Sequence, residues 1–350
     1  MQIENCLNTL EKYCVNQGFK GFDPYDLLLS PLQFQRLGKN ISFFLSQVHL
    51  RFPINVRYIL KIPKIHHTKS MALFLMSYIN LYRMHPSKQF KDNIHFFYNW
   101  LINNYTKGYA GPCWGLNYDY ASRQQILKAK SPSLVVTGFV FNAIFEYYLY
   151  FKDESAKEVL KKVPDFILYD LPITKFNNSV CFSYTTKKKD ICYNATALSA
   201  EVLIKAYYLS GNAQMKKYAI LSMNFVLEKQ KESGVWYYSQ NHDGSEKKQI
   251  DFHQGFILDS LSEFMKYCDT NKKLYFKALD NGLKFYYTNQ FFKTGQSKYR
   301  LPNVYPIDIH NQAQGIITFS KFKYIDKKYL PFSVQIAKWT IDNMLDKKGY

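Results

Sequence analysis

Gly234-Val-Trp-Tyr-Tyr-Ser-Gln240, a polar turn at Asn241-His-Asp-Gly244, and then Ile250-Asp-Phe-His-Gln-Gly-Phe-Ile-Leu-Asp-Ser-Leu-Ser-Glu-Phe264 read as a hairpin followed by a helix. Trp236 and Tyr238 alternate with Tyr237 and Ser239 as in a strand, and the turn residues suit a tight connection. Asp251 stands where an N-cap belongs, ahead of Phe252, Phe256, Leu258, Leu261 and Phe264 at helical spacing. The same junction recurs at Cys181-Phe-Ser-Tyr184 with Asn194, and at Tyr305-Pro-Ile-Asp-Ile-His310 with Gln312. Asn194 precedes His253 by 59 positions and His253 precedes His310 by 57. A looser copy runs from Trp114 through Asp119 and Arg123 to Pro132, 62 positions before Asn194.

A period of about sixty residues leaves room for two helices and a hairpin, the mark of a repeat architecture. Apolar helices are predicted from Ser70, Leu134, Asn194, His253 and Gln312, each followed by a more polar partner from about Ser87, Glu154, Ala213, Lys272 and Lys328. Pairs of this kind pack as antiparallel hairpins, with the apolar helix inside and its amphipathic partner outside. The loops before the inner helices then open on one end, which makes the hairpin-to-helix junctions the place for chemistry. The last residues, Asp346-Lys-Lys-Gly-Tyr350, resemble the approach to one more hairpin and predict that the chain stops short of a final element.

With 350 residues, 47% hydrophobic and 18% aromatic, the chain can bury an extended core, and no linker-like or low-complexity segment divides it; one domain over 1–350 is expected. The formal net charge of +19 would attract phosphates, uronic acids or a membrane surface. The lysines are scattered as solvated helix faces, so no specific nucleic-acid partner is expected. Cys6, Cys14, Cys113, Cys181, Cys192 and Cys268 show neither ligand spacing nor a disulfide framework, and the N-terminus lacks a signal-peptide pattern; a cytoplasmic location is expected. Leu134 to Phe151 is interrupted by Thr137, Asn142 and Glu146, and reads as a buried inner helix rather than a membrane span.

These junctions resemble the six-hairpin (α/α)6 toroids of many carbohydrate-active hydrolases, lyases and epimerases. More narrowly, the chain is similar to proteins encoded in bacterial polysaccharide (O-antigen, capsule, exopolysaccharide) biosynthesis loci. The matching residues are Asp23-Pro-Tyr-Asp26, the Arg57 to Pro63 segment, Trp114-Gly with Asp119 and Arg123, Phe182-Ser-Tyr184, Asn194, Gly234-Val-Trp236-Tyr, Ile250-Asp251 with His253, and Asp308-Ile-His310-Asn-Gln312-Ala-Gln314-Gly. The resemblance implies an all-helical toroid with short β-hairpins and a place in surface polysaccharide assembly, without fixing a mechanism. One departure stands out: the aromatic expected before Ile250-Asp251 is Gln249.

Two Asp-x-His junctions at equivalent repeat positions, Asp251/His253 and Asp308/His310, are the candidate general acids and bases; the bland alternative is an aspartate that only caps its helix beside a histidine that bonds a loop. Asp119 is a further candidate, since glycosidases commonly set two carboxylates across the scissile bond; its alternative is an ion pair with Arg123. Arg123 and then Arg57 suit a substrate carboxylate or phosphate. Trp114, Tyr184, Trp236 and Tyr238 are candidate stacking surfaces for sugar rings, and Asn194, Gln312, Gln314 and Asp26 candidate polar contacts. No metal is expected, because the two pairs lie on different hairpins without a His-x-x-x-His or Cys ligand. No cofactor is expected either, as phosphate loops, nucleophile elbows and dinucleotide fingerprints are absent.

The expected activity is acid/base catalysis on an anionic or polyprenyl-phosphate-linked oligo- or polysaccharide, with hydrolysis slightly ahead of elimination or epimerisation and with peripheral contact to a membrane surface. The rivals are a non-catalytic saccharide-binding scaffold and an isoprenoid cyclase or transferase. The second lacks its acid motif here and would require a wholly apolar funnel.

Overall fold

The computed structural model describes residues 2–122 and 125–346. Arg123 and the hairpin-like end at 347–350 lie outside the described residues. The chain forms two compact units, Met1–Tyr13 with Leu171–Tyr350, and Cys14–Asp170.

In Cys14–Asp170, helices α2 (Lys39–Arg51), α3 (Thr68–Met84), α4 (Lys88–Asn103), α5 (Leu134–Phe151) and α6 (Glu154–Asp165) accompany a short hairpin, β1 (Tyr120–Ala121) with β2 (Ile126–Leu127). α3 packs on α4 and α5, and α5 on α6. The caps follow the sequence, with Ser87 accepting from Phe90 N at 3.1 Å, Ser133 from Val136 N at 3.3 Å and Asp153 from Ser155 N at 2.8 Å. α5 is long and apolar enough to cross a membrane by length and composition, with mean hydropathy 1.4, but 56% of it is buried as a core helix. α2, on the surface, was not foreseen: its buried positions are Ser42 and Ser46 while Ile41, Phe44 and Val48 are exposed, so no inward apolar stripe marks it.

The other unit contains α7 (Tyr193–Ser210), α8 (Ala213–Glu228), α9 (His253–Tyr267), α10 (Lys272–Phe285), α11 (Ile309–Lys321) and α12 (Tyr329–Met344). α1 (Gln2–Asn16) begins in it, and Gln2 donates to Asp342 of α12 at 2.7 Å. α7 packs on α8 and α9, α9 on α10 and α11, and α11 on α12. Each predicted inner helix of this unit is therefore flanked by its outer partner and by a neighbouring inner helix. β3 (Ile173–Lys175) pairs with β4 (Val180–Phe182); β5 (Ile191–Cys192), β6 (Ser239–Gln240) and β7 (Glu246–Lys247) form one antiparallel sheet around the turn at Asn241–Gly244.

One repeated device locks hairpin to helix in both units. A polar side chain in the first turn of α5, α7, α9 and α11 meets the preceding hairpin: Thr137 Oγ1 accepts from Trp114 N at 3.0 Å, Gln254 Oε1 from Trp236 N at 3.1 Å and Gln312 Oε1 from Ser297 N at 2.7 Å, while Thr196 meets the Cys181 thiol at 3.0 Å. These four residues recur every 58 or 59 positions. A backbone amide inside a packed core must find an acceptor, and a first-turn side chain is the nearest one. Gly234 and Gly295 open two of the hairpins with φ of +89° and +93°, and a Cβ there would strike the carbonyl oxygens of Asn281 and Gln335.

Candidate functional site

Asp251 and His253 begin α9. The Asp251 carboxylate is buried; Oδ1 lies 2.5 Å from His253 Nδ1 and accepts the His253 backbone N–H at 3.2 Å, while Oδ2 accepts from Gln249 Nε2 at 2.7 Å and lies 3.6 Å from Arg300 Nε. Gln249, where an aromatic was expected, thus supplies a donor to the buried acid. Burial pushes the Asp251 carboxyl up, but the hydrogen bonds and charge from His253, with Gln249, hold it below the ordinary carboxylate range.

The second pair repeats the arrangement at the start of α11. Asp308 caps the helix through His310 N at 2.9 Å, and its Oδ1 lies 3.1 Å from His310 Nδ1. Burial raises the Asp308 carboxyl and the hydrogen bonds from His310 outweigh it, so it too is held low; Asp251 is close enough to push it back. In both pairs the carboxylate orients Nδ1–H, which fixes the tautomer and leaves Nε2 as the reactive nitrogen. The His310 side chain is 54% exposed and that of His253 19%.

The two pairs share a surface. The Phe252 ring stacks on His253 at 4.3 Å between centroids and on His310 at 5.3 Å, while Tyr238 meets His253 edge-on at 4.8 Å. Lys247 Nζ lies 4.5 Å from the Tyr238 ring centre. The Cys192 thiol beside it, then burial, then Tyr184 hold the Tyr238 hydroxyl far above the ordinary phenol range, so it remains a proton-bearing donor. Tyr184, half-buried, donates its backbone N–H to Asp190 Oδ1 at 2.8 Å. Tyr184, Cys192, Tyr238, His253, Asp251, Phe252, His310 and Asp308 form one continuous row within this unit.

Other predicted residues are placed elsewhere. Trp114 and Trp236 are core residues: their indoles donate to the Leu101 and Val226 carbonyls at 2.9 and 2.7 Å, and neither ring has a face open to a sugar. This corrects the expectation of stacking; a tryptophan beside a turn here ties its hairpin to the outer helix. Gln312 is buried, donating to Gly295 O and Thr340 Oγ1 at 3.3 and 2.9 Å, and buried Gln314 donates to Asp259 Oδ2 at 2.6 Å, so both serve packing rather than ligand contact. Asn194 is nearly closed from solvent and takes the Cys192 thiol on Oδ1 at 3.0 Å. In the other unit, Arg57 Nε bonds both oxygens of fully buried Asp26 at 3.1 and 2.9 Å, and His49 lies 3.2 Å away; acid and cation are committed to each other, which corrects their assignment to a substrate. Asp119 closes its own hairpin, with Lys128 Nζ at 3.0 Å and Ala129 N at 2.9 Å. Its expected partner Arg123 lies outside the described residues.

Sequence reading missed Phe252, Arg300 and Lys247, because an aromatic and two cations in an aromatic, basic chain carry no signal alone. It also missed a buried charge network on α7, α9 and α11. Glu201 bonds Lys205 at 2.6 Å and Ser260 at 2.8 Å, and Glu263 lies 3.2 Å from Lys205 and 2.8 Å from Lys321. Asp259 Oδ1, shut off from solvent, accepts no hydrogen bond, and burial, against the nearby Lys321 charge, raises that carboxyl to about 6. Glu201 and Lys205 four apart in an apolar helix were the available clue. Among the described residues, no group of three His, Cys, Asp or Glu side chains is placed to hold a metal ion.

No protein-family model matches the chain, and no curated protein matches it. Solved structures do. The chain is similar to a cellobiose 2-epimerase from Bacillus thermoamylovorans, with 15% identity, TM-score 0.65, and 82% of this chain and 80% of that one covered. A GH76 α-mannanase from Bacteroides thetaiotaomicron gives 16%, 0.61, 81% and 76%, and a glycosyl hydrolase family 88 protein from Bacteroides vulgatus 12%, 0.57, 80% and 79%. At this identity the likeness shows the fold, a mostly helical chain of the (α/α)6 toroid class whose structural neighbours are carbohydrate-active enzymes.

Proposed function

We propose that this chain is a carbohydrate-active enzyme that transfers protons on a saccharide at the Asp251/His253 and Asp308/His310 pairs. The observation that carries the reading is the shared stack, with one phenyl ring between two imidazoles, each oriented through Nδ1 by its own carboxylate. One neutral Nε2 accepts a proton while the other imidazole, protonated, donates one. Phe252 and Tyr238, each half-buried, offer apolar ring edges beside the imidazoles against which a pyranose packs.

This chemistry changes the order expected from sequence. A two-carboxylate hydrolase needs one acid held protonated, whereas both aspartates are held below the ordinary range and occupied by histidine. Proton abstraction at a sugar C–H, leading to epimerisation or elimination, therefore moves ahead of hydrolysis. The cellobiose 2-epimerase likeness is compatible with that order. Arg300, 46% exposed and beside Asp251, together with Lys247, suits a carboxylate or phosphate on the substrate, in keeping with an anionic or lipid-phosphate-linked intermediate of surface polysaccharide biosynthesis in the cytoplasm. An isoprenoid cyclase is disfavoured by the charges buried on α7, α9 and α11.

The test is incubation with neutral and uronic-acid oligosaccharides in deuterium oxide. Deuterium incorporated at a sugar carbon, and lost in His253→Ala and His310→Ala, supports the reading; reducing-end release without exchange favours hydrolysis. Binding with no turnover by the parent protein favours the scaffold.

A further inference from the structure

Positions 27–91 hold ten Lys and Arg residues and no Asp or Glu; Arg57, Arg83 and Lys88 pair with Asp26, Glu146 and Asp92 outside that stretch, which leaves a strong local excess of positive charge. The same region carries a dense set of exposed large apolar side chains. On α2, Phe44 and Val48 lie four apart on one face and are 63% and 43% exposed; the loop beyond it continues with Phe52, Ile54, Tyr58 and Ile59 at 48, 66, 93 and 75%. These residues lie within the Cys14–Asp170 unit. Arg36, Lys39, Arg51, Lys61 and Lys64 are exposed around them, while Arg57 is committed to Asp26. A patch of this kind on a folded domain calls for a partner.

We propose that this face docks the protein on an anionic phospholipid bilayer, with α2 lying in the headgroup region and the aromatic and aliphatic tips entering the acyl boundary. Charge complementarity selects the occupant. Two copies of this chain would bring the same cations face to face with no acid to offset them, which opposes self-association. A bilayer with anionic headgroups meets both properties at once: apolar tips bury in the interface, cations remain at headgroup level, and Tyr58 suits the boundary. The inference goes beyond the saccharide reading and does not depend on it, since docking is measured without any sugar.

The experiment is co-sedimentation of the full chain with vesicles of phosphatidylcholine alone and of phosphatidylcholine with phosphatidylglycerol. Binding to the phosphatidylglycerol vesicles is expected, weak or absent on phosphatidylcholine and lost at high salt. Each of Arg51→Gln and Lys61→Gln should lower the partition roughly fivefold, as about 1 kcal/mol per cation implies. Phe44→Ser with Tyr58→Ser should abolish it; both side chains are exposed, so an unchanged thermal melt is expected to show that the fold survives. Absence of binding to phosphatidylglycerol vesicles, equal binding to both vesicle types, or binding unaltered by these substitutions would overturn the proposal. So would a concentration-dependent dimer that the Phe44 and Tyr58 substitutions dissolve, or an acidic protein that competes the chain off vesicles while gripping the same residues more tightly.

Discussion

The imidazoles of His253 and His310 flank one ring, that of Phe252, at centroid distances of 4.3 and 5.3 Å. The two residues start different helices, and neither contact is visible in a repeat alignment of the chain with itself. The stack makes the two Asp-His pairs a unit, so their substitutions should not add. His253→Ala and His310→Ala are each expected to lower turnover by about 10²–10⁴-fold, and the double variant to lose little more. Steady-state kinetics on the four proteins checks this.

Asp308 combines capping with orientation of His310, and the two roles separate by substitution. Asp308→Asn keeps an acceptor for His310 N and should leave the melting temperature nearly unchanged while lowering activity. Asp308→Ala should in addition lose about 1 kcal/mol of stability. Thermal denaturation alongside the activity assay reads both.

Arg300 stands beside Asp251 at the exposed side of the site. Arg300→Gln should raise KM for uronic-acid substrates by about tenfold, the order expected for loss of a charge-assisted hydrogen bond, and leave KM for neutral saccharides within about twofold. Equal effects on both would remove the case for an anionic substrate.

Two buried aspartates should respond to pH in opposite directions. Asp251 is held below its ordinary 3.8, so its contribution to stability is present above that value and lost as the pH falls below it. Asp259 is raised from 3.8 to about 6, so its protonated form is favoured; its contribution is complete below 3.8 and lost as the pH rises through 6. Asp259→Asn should therefore stabilise the protein at pH 8, by about 2–3 kcal/mol, and bring no gain near pH 4. Asp251→Asn should destabilise it at pH 7 and cost least near pH 3. Denaturant titrations at the four pH values decide.

The helices were legible because α3 to α12 carry strong apolar periodicity, caps at Ser87, Ser133, Asp153 and Asp308, and a period that places Thr137, Thr196, Gln254 and Gln312 alike. The Asp251/His253 and Asp308/His310 pairs stood out for the same reason, as repeated polar residues at helix starts. What could not be read was direction. Trp114 and Tyr238 both sit in hairpins, yet the first donates its indole inward to Leu101 and the second faces His253. Gln312 and His310 are two apart on one helix, so they lie on different faces, and only one is exposed. α2 escaped notice because serines, Ser42 and Ser46, fill its buried positions while Ile41, Phe44 and Val48 are exposed.

The central claim, that the two Asp-held imidazoles and Phe252 form one saccharide-binding surface, is tested most directly by following the imidazole nitrogens of His253 and His310 by ¹⁵N NMR during titration with a uronic-acid oligosaccharide. The account predicts that both rings shift together, with one affinity, and that Phe252→Ala weakens both. Saccharide binding that leaves both rings unmoved, or shifts confined to one of them and indifferent to Phe252, would contradict it.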